Sequence, residues 1–451
     1  MEKNMTQGSP WKHLLMFSLP ILGGMLLQLL YTTVDGIVVG NFVSETALGA
    51  MNSATSYSNV LLAIATGLST GCGIVIAQLF GAGNRDGVRR CISTMLILMI
   101  GLGLVITIVG ELTAELMLTR VLGVPEDIIH YSMTYMRIYF IGMVFQFAYN
   151  AFAAELRALG DSKATMLFLL ISSIANIILD LLFVIVFHWD VAGVAIATVI
   201  SQGVSAVVSL IYIRKKHPLL ALKLKEMTFD GEQCKMILKL GIPVMLQTII
   251  SSAGSMAIQR LINSFGSSTM AGVAAAAKVE SFAVMPSIAF ASGMSTYVGQ
   301  NIGAGDLKRV WKGYWSGLIM GCSLCCVLSL ILVIFANPLT AMFGCSGDSL
   351  TFGVQYLRFM ACVLPIMMIL FTSRGLLQGA GDVTTCTIIT FATLAMRIVV
   401  AYWMAGWPSV GRKTIYICMG IDFVVGALMY VVRLASGKWK KKALVKAESA
   451  E

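Results

Sequence analysis

Long apolar segments run along almost the whole chain and are separated by short polar ones. Twelve of them reach about 20 residues, the length that a helix rising about 1.5 Å per residue needs to cross the hydrocarbon core of a bilayer. They lie at residues 13–40, 50–79, 91–117, 130–155, 164–187, 191–213, 237–263, 273–299, 313–336, 353–373, 384–405 and 413–433. Their apolar residues are continuous rather than alternating, which predicts an all-α integral membrane protein with twelve transmembrane helices.

The second half of the chain repeats the first half. Four markers return in the same order: AQLFGAGN ending at Asn84 as GQNIGAGD ending at Asp306, YMRI as YLRF, RALGD ending at Asp161 as QGAGD ending at Asp382, and SLPI as GIPV. Each half has six predicted spans, so both copies enter the membrane in the same direction. We expect two pseudo-symmetric six-helix bundles around a central cavity: an N-terminal lobe (1–213), a cytoplasmic linker (214–236), a C-terminal lobe (237–433) and a basic cytoplasmic tail (434–451).

The charges of the chain follow this topology. Of the 451 residues 57% are hydrophobic and 12% charged, and the formal net charge is +10. The loops on one side hold Lys3, Lys12, Arg85, Arg89, Arg90, Arg157, Lys163, the cluster from Arg214 to Lys239, Lys308, Arg309, Lys312, Arg374 and the stretch from Arg433 to Lys446, whereas the opposite loops hold only Arg120, Arg412 and Lys413. The positive-inside rule therefore predicts a multi-pass protein of the plasma (inner) membrane with both termini in the cytoplasm, and the basicity needs no nucleic acid partner.

A carboxylate interrupts the apolar segment from Leu167 to Val186. Asp180 is the only charge in this segment, and Asn176 lies one helical turn earlier on the same face. An ionised group inside the bilayer costs several kcal/mol unless it is paired or solvated, and such groups usually mark ion or proton paths. The alternative is an Asn/Asp pair that only holds two helices together.

Two further polar residues fall at the same predicted depth. Asp35 in the first span and Thr198 in the sixth lie level with Asp180, roughly 12 to 15 Å below the outer rim at about 1.5 Å per residue. These oxygens could bind a hard cation such as Na⁺, or the two carboxylates could share a proton. Tyr31, one turn before Asp35, could hydrogen-bond to either form or be an ordinary buried tyrosine.

The repeat restricts the two acids to the N-terminal half. Arg397 occupies the position equivalent to Asn176, and Ala401 the position equivalent to Asp180. The spans of the C-terminal half carry other charges, namely Arg260, Lys278, Glu280 and Arg397. These side chains could line a substrate cavity, or they could pair locally or extend to the interface.

Two motifs that suggest other chemistry have simpler interpretations. Gly-x-Gly-Asp, a signature of intramembrane aspartyl proteases, occurs at 303–306 and 379–382, but both copies are expected at helix-terminating turns. The chain contains no G-x-x-x-x-G-K-[ST] phosphate loop, so ATP is not expected to drive it directly. Its ten cysteines fall mostly in apolar segments, and no disulfide framework is expected.

The duplicated halves, the GAGN and GAGD turns, RALGD and the polar pattern of spans five and six resemble the multidrug and toxic compound extrusion (MATE) family over essentially the whole chain. The carboxylates of the first half resemble its prokaryotic branch related to the DNA-damage-inducible members. The resemblance implies a V-shaped twelve-helix fold of two lobes. It also implies export of mostly cationic, amphipathic compounds by antiport against sodium ions or protons.

The resemblance also assigns site residues. The cation site of that branch matches Asp35, Asn176, Asp180 and Thr198 here, with Tyr31 matching a tyrosine one turn before the first acid. Other branches carry an acidic site in the C-terminal lobe. This chain departs from them, because Arg397 stands where an acid would be needed and only Glu280 and Asp422 remain as candidates.

We therefore expect a secondary active multidrug exporter that works by alternating access and is not an enzyme. Its expected partners are small amphipathic molecules and membrane lipid, its expected state is monomeric, and no cofactor is expected besides the coupling ion. One alternative is a flippase for a lipid-linked precursor with similar architecture. A remote alternative is an intramembrane aspartyl hydrolase, which would need two aspartates at one scissile bond.

Overall fold

The structure is a computed structural model that describes residues 4–121 and 124–444. Its twelve long helices, numbered in chain order, are α1 (Pro10–Phe42), α2 (Glu45–Gly81), α3 (Arg85–Leu116), α4 (Glu126–Ala158), α5 (Ser162–Asp180), α6 (Asp190–Lys216), α7 (Gly231–Ser264), α8 (Ser267–Gly303), α9 (Leu307–Ala341), α10 (Gly347–Gly379), α11 (Val383–Ala405) and α12 (Thr414–Ala435). Short π-helical segments, Met117–Val121 and Leu181–Val186, extend α3 and α5. All twelve predicted spans therefore fall on helices.

Length and composition identify most of these helices as membrane spans. Within residues 4–121 and 124–444, eleven helices are long and apolar enough to cross a bilayer. The exception is α4, which carries polar residues such as Gln146, Asn150 and Glu155 along its length. Many large apolar side chains are exposed on the helix surfaces, including Leu112 at 80% and Val399 at 68%. In a bilayer these side chains contact lipid, which keeps them away from water as a protein core would.

The repeated Gly-Asn and Gly-Asp turns end one helix and begin the next. Gly83 and Gly305 have φ of +75° and +74°, which glycine adopts without the cost that a Cβ would bring. The residue that follows each glycine then caps a helix: Asn84 accepts a hydrogen bond from the Gly87 N–H at 2.8 Å, and Asp306 accepts one from the Arg309 N–H at 2.8 Å. The prediction of a helix-terminating turn at 303–306 is confirmed.

The chain divides into two compact units. Among the described residues, the first unit contains Asn4 and the chain from Leu19 to Met245, and the second contains Met5–Ser18 and residues 246–444. The units differ from the predicted lobes at two helices, because α1 begins in the second unit and continues in the first, whereas α7 does the reverse. The segment between α6 and α7, residues 217–230, is shorter than the predicted linker, because both helices extend into the range predicted for it.

Hydrogen bonds explain why the segment that begins at Met5 belongs to the second unit. The Met5 N–H donates to Gln300 Oε1 at 2.8 Å, and the Met5 carbonyl accepts from Arg309 Nη2 at 3.0 Å and Asn301 Nδ2 at 3.3 Å. These partners lie on α8 and α9. Since buried backbone groups need such partners, the polar segment before α1 is held on the second unit.

The segment before α7 docks on the first unit in a similar way. Its Thr228 N–H donates to the Ser93 hydroxyl at 2.6 Å, and its Asp230 N–H donates to the Thr94 hydroxyl at 3.0 Å. Both acceptors lie on α3. The predicted linker is therefore partly ordered against the bundle that precedes it.

Within each unit one helix packs against most of the others. In the first unit α4 packs on α2, α3 and α6, and in the second α10 packs on α8, α9 and α12. The close approach of α10 to α8 depends on glycine: a Cβ on Gly375 would lie 2.5 Å from the Ala291 carbonyl oxygen. Such approaches replace the hydrophobic effect as the source of helix association inside a membrane.

Some basic residues that the sequence placed in loops lie elsewhere. Arg157 and Arg374 were counted among loop residues, but both lie within helices, α4 and α10, because these helices extend several residues past the apolar segments. In the predicted tail, Trp439 is fully buried and its indole N–H donates to the Leu434 carbonyl at 3.0 Å. Lys3 and residues 445–451 lie outside the described residues.

Candidate functional site

The first unit brings the predicted site residues together from three helices. Asp35 lies on α1, Asn176 and Asp180 on α5, and Thr198 on α6. All four side chains are buried, and Asp180 is 0% exposed. The carboxyl groups of Asp35 and Asp180 lie close enough to interact electrostatically, although 145 positions separate them in the sequence. A hydrogen bond between two carboxyl groups requires a proton on one of them.

Several polar atoms of this site have no protein partner. Both carboxylate oxygens of Asp180, both amide atoms of Asn176 and Oδ1 of Asp35 are buried without a hydrogen-bond partner. Thr198 instead donates its hydroxyl hydrogen to the Val194 carbonyl at 2.9 Å, which leaves oxygen lone pairs free. Buried polar groups are normally satisfied, so a cluster of unsatisfied oxygens suits a bound proton, cation or water.

The helix that carries the pair changes geometry directly after it. Helix α5 is regular up to Asp180 and then continues as the π-helical segment Leu181–Val186. Such wider turns are rare and occur frequently at functional sites. The following residues His188 and Asp190 have φ of +54° and +47°, which is uncommon outside glycine.

A cavity of about 180 Å³ lies next to the pair inside the first unit. Tyr31, Asn176 and Thr198 line it, whereas Asp35 and Asp180 lie one turn beyond the lining residues of their own helices. Tyr31 is close enough to Asp35 to interact electrostatically with it. Tyr31 and Asn176, which line the cavity, therefore lie between it and the two acids.

The cavity also holds amide side chains that the sequence analysis missed. Gln28, Gln146, Asn150 and Gln202 all line it. Each interrupts an apolar segment, and Gln146 and Asn150 are one helical turn apart, as are Thr198 and Gln202. The criterion that singled out Asn176, a polar residue inside a span, could have found these residues too.

The charged residues of the second unit are arranged differently. Arg397 Nη1 lies 3.3 Å from Asp422 Oδ2, and both side chains are 12% exposed. Glu280 accepts a hydrogen bond from the Tyr356 hydroxyl at 2.8 Å and is close enough to Arg397 for electrostatic attraction. Local pairing, one of the two interpretations of these charges, therefore applies to Arg397.

The remaining two residues of that predicted set lie at the surface. Arg260 on α7 and Lys278 on α8 are exposed. Neither lines the cavity of about 190 Å³ inside the second unit, which Arg397 and Asp422 do line. The structure therefore places Arg397 in a cavity and the other two cations on helix surfaces.

Clusters of metal-binding side chains are absent from residues 4–121 and 124–444. In that part of the chain, no group of three or more His, Cys, Asp and Glu side chains is placed to hold a metal ion. An alkali cation at the first site would instead depend on Asp35, Asp180, Asn176 and Thr198, which offer four carboxyl oxygens, one amide oxygen and one hydroxyl oxygen.

Fold and site together define a class: a multi-pass helical membrane protein built from two repeated bundles, with polar cavities inside the bilayer region. This is the architecture of secondary transporters. Comparison with known proteins gives the family. The family model described as MatE matches residues 20–182 and 243–403, one match in each half of the chain. The chain belongs to the MATE family, whose members are transporters and not enzymes.

Relatives and solved structures agree with this assignment. The probable multidrug resistance protein YpnP of Bacillus subtilis is 31% identical over 446 residues, covering 97% of this chain and 98% of the relative. The probable multidrug resistance protein NorM of Thermotoga maritima is 24% identical over 444 residues, covering 97% of this chain and 95% of the relative. A crystal structure of MATE in the bent conformation matches with a TM-score of 0.91 at 23% identity, covering 97% of this chain and 98% of that chain. The predicted twelve-helix membrane fold is confirmed.

Proposed function

We propose that this protein is a secondary active multidrug exporter of the plasma membrane that moves amphipathic, mostly cationic compounds outward in exchange for Na⁺ or H⁺. Its relatives YpnP and NorM carry the name of probable multidrug resistance proteins, and MepA of Staphylococcus aureus that of a multidrug export protein. We further propose that the protein acts as a monomer surrounded by lipid, that both termini are cytoplasmic, and that it does not bind nucleic acid.

The observation that carries the proposal is the buried contact between Asp35 and Asp180. A proton between the two carboxyl groups removes one negative charge and supplies the donor that this contact needs. When that proton leaves, two negative charges face each other in a medium of low dielectric, and this arrangement is unfavourable. Binding or loss of a proton at this pair therefore changes the free energy of the packing arrangement of α1 and α5.

This change drives transport only if the ion binds the two conformations unequally. In the proposed cycle the substrate enters while the protein is open to the cytoplasm. After the switch, capture of an ion at Asp35 and Asp180 favours the conformation that releases the substrate outward. Asn176 and Thr198 supply further oxygens to the ion, and Tyr31 lies close enough to the Asp35 carboxyl to interact with it electrostatically.

The proposal is tested by replacing each acid with its amide. Asp35→Asn and Asp180→Asn should each abolish drug resistance in a host without its own efflux pumps, while membrane levels stay as in the wild type. Asp86→Asn is the matched control, since Asp86 is an exposed aspartate at the start of α3. Normal efflux by both site variants would remove the pair from the mechanism.

The coupling ion is identified in proteoliposomes. A sodium gradient and a pH gradient are imposed separately, and drug movement is measured for the wild type and for Asp180→Asn. Transport driven by only one of the gradients, and lost in the variant, identifies the ion. Translocation of a lipid-linked precursor without drug transport would instead support the flippase alternative.

A further inference from the structure

The second unit contains a cavity whose lining residues include repeat equivalents of residues that line the first cavity. It measures about 190 Å³, close to the 180 Å³ of the first. Thr393, Arg397, Asp422 and Gly426 line it, and 221 positions earlier in the chain stand Ser172, Asn176, Ser201 and Ser205, which line the first cavity. The repeat has therefore kept the cavity and changed its chemistry.

The lining of the second cavity holds more basic than acidic side chains. Its lining includes Arg374, Arg397 and Asp422, and Glu280, which lies outside the lining, is close enough to attract Arg397 as well. Arg397 and Asp422 form an ion pair at 3.3 Å. Within residues 4–121 and 124–444, Arg374 forms no ion pair, and its guanidinium lies 4.6 Å from the centre of the Phe371 ring.

Donor atoms of both arginines remain unused. Nε of Arg374 and Nε of Arg397 are buried and have no hydrogen-bond partner. A buried donor of a charged group that has no hydrogen-bond partner is costly. A guanidinium presents its donors in a planar fork that matches the oxygens of a carboxylate or phosphate.

We propose that the second cavity binds an oxyanion, a carboxylate or phosphate group, with Arg374 as its main ligand and Arg397 as a second one. The ring of Phe371 lies beside the guanidinium of Arg374. The hydroxyl groups of Thr393 and Tyr430 also line the cavity, and they donate to the Thr390 and Cys386 carbonyls. The anion belongs either to a free amphipathic acid or to the headgroup of an anionic lipid. This site is separate from the proposed ion site, since all of its residues lie in the second unit.

Binding of radiolabelled benzoate to the purified full-length protein in phosphatidylcholine nanodiscs tests the proposal. Benzamide, which has the same shape without the charge, is the ligand control. Benzoate should bind at least about tenfold more tightly than benzamide, and inorganic phosphate should compete with it. Equal binding of benzoate and benzamide would overturn the proposal.

Variants assign the binding to the arginines. Arg374→Gln should weaken benzoate binding by about tenfold or more, whereas Arg358→Gln, an exposed arginine on the same helix, should not. Arg374→Lys keeps the charge and should retain part of the affinity. Comparable thermal melting curves show that the variants are folded, and unchanged affinity in Arg374→Gln would contradict the proposal.

Two further measurements separate the remaining outcomes. Asp422→Asn removes the competing carboxylate and should raise the affinity for benzoate, so an unchanged or lower affinity would count against the site. In nanodiscs that contain phosphatidylglycerol, loss of Arg374-dependent benzoate binding identifies the lipid headgroup as the occupant, and unchanged binding identifies a free anion. Asp35→Asn should keep benzoate binding, which distinguishes failure here from failure of the proposed ion coupling.

Discussion

Asp161 joins the turn between α4 and α5 to the end of α6. Its Oδ1 accepts a hydrogen bond from the Ala164 N–H at 3.2 Å and caps α5. Its Oδ2 accepts one from the Tyr212 hydroxyl at 2.8 Å and lies 3.1 Å from Nε2 of the fully buried His217. Replacing Asp161 by alanine therefore removes a helix cap and two side-chain contacts in a single change.

The size of the loss follows from these contacts. A helix cap contributes about 1 kcal/mol, and each hydrogen bond to a charged group about 1.5 to 3 kcal/mol. Since Tyr212 and His217 lie near the end of α6 and can partly rehydrate, we expect Asp161→Ala to lower the free energy of unfolding by about 3 to 5 kcal/mol. Tyr212→Phe should lower it by about 1 to 2 kcal/mol, and the double variant should lose less than the sum.

The same contacts predict a dependence on pH. Burial by itself raises the pKa of the Asp161 carboxyl, but the hydrogen bonds from His217, Tyr212 and the Ala164 N–H outweigh it and hold the pKa below its usual value. A group with a lowered pKa in the folded state adds stability that is present above the unfolded pKa, about 3.9 for aspartate. This stability is lost as the pH falls through the folded pKa.

Thermal unfolding in detergent checks both predictions. Wild type, Asp161→Ala and the exposed control Asp86→Ala are compared at neutral pH and then at acidic pH. The Asp161 variant should melt several degrees lower at pH 7, and the difference from wild type should shrink as the pH falls below about 4. Equal melting temperatures at pH 7, or a constant difference down to low pH, would refute the reasoning.

Two further predictions concern packing and the equivalent contact in the second unit. Gly375→Val should reduce the folded yield strongly, because a Cβ there would lie 2.5 Å from the Ala291 carbonyl oxygen. Gly101→Ala should be tolerated, since a Cβ at Gly101 would have nothing within 4 Å. Fluorescence size-exclusion chromatography measures the folded yield of both variants. Arg433→Gln removes the 2.7 Å contact of Nε with Asp382 Oδ2 and should cost about 2 kcal/mol in thermal unfolding. An undiminished melting temperature would show that this buried acid needs no cationic partner.

The sequence identified Asp180 and Asn176 because a polar residue stands out in an apolar helix. The same reasoning predicted one depth for Asp35, Asp180 and Thr198, since depth depends only on position along a helix. It could not predict the contact between the two carboxyl groups. Such a contact depends on how α1 and α5 rotate and pack, and this is settled by side chains on other helices.

The ion pair of Arg397 and Asp422 likewise could be predicted only in part from the sequence. Both residues could be recognised as charges inside spans, yet they lie on different helices and 25 positions apart. The division of α1 and α7 between the two units was also hidden from the sequence. The backbone groups of Met5 before α1 bind side chains on α8 and α9, about 300 positions further along the chain. The segment before α7 instead binds side chains on α3, about 135 positions earlier.

The sequence by itself determined the number of helices, the internal repeat and the turns, because these depend on local hydrophobicity and on glycine and cap residues that act over a few positions. Only the tertiary structure decided which polar side chains meet. In a membrane the apolar surface of a helix gains little by facing a neighbour rather than lipid, so hydropathy contains little information about partners. The two cavities, equivalent in position and lined by different charged residues, therefore became visible only when the helices were packed.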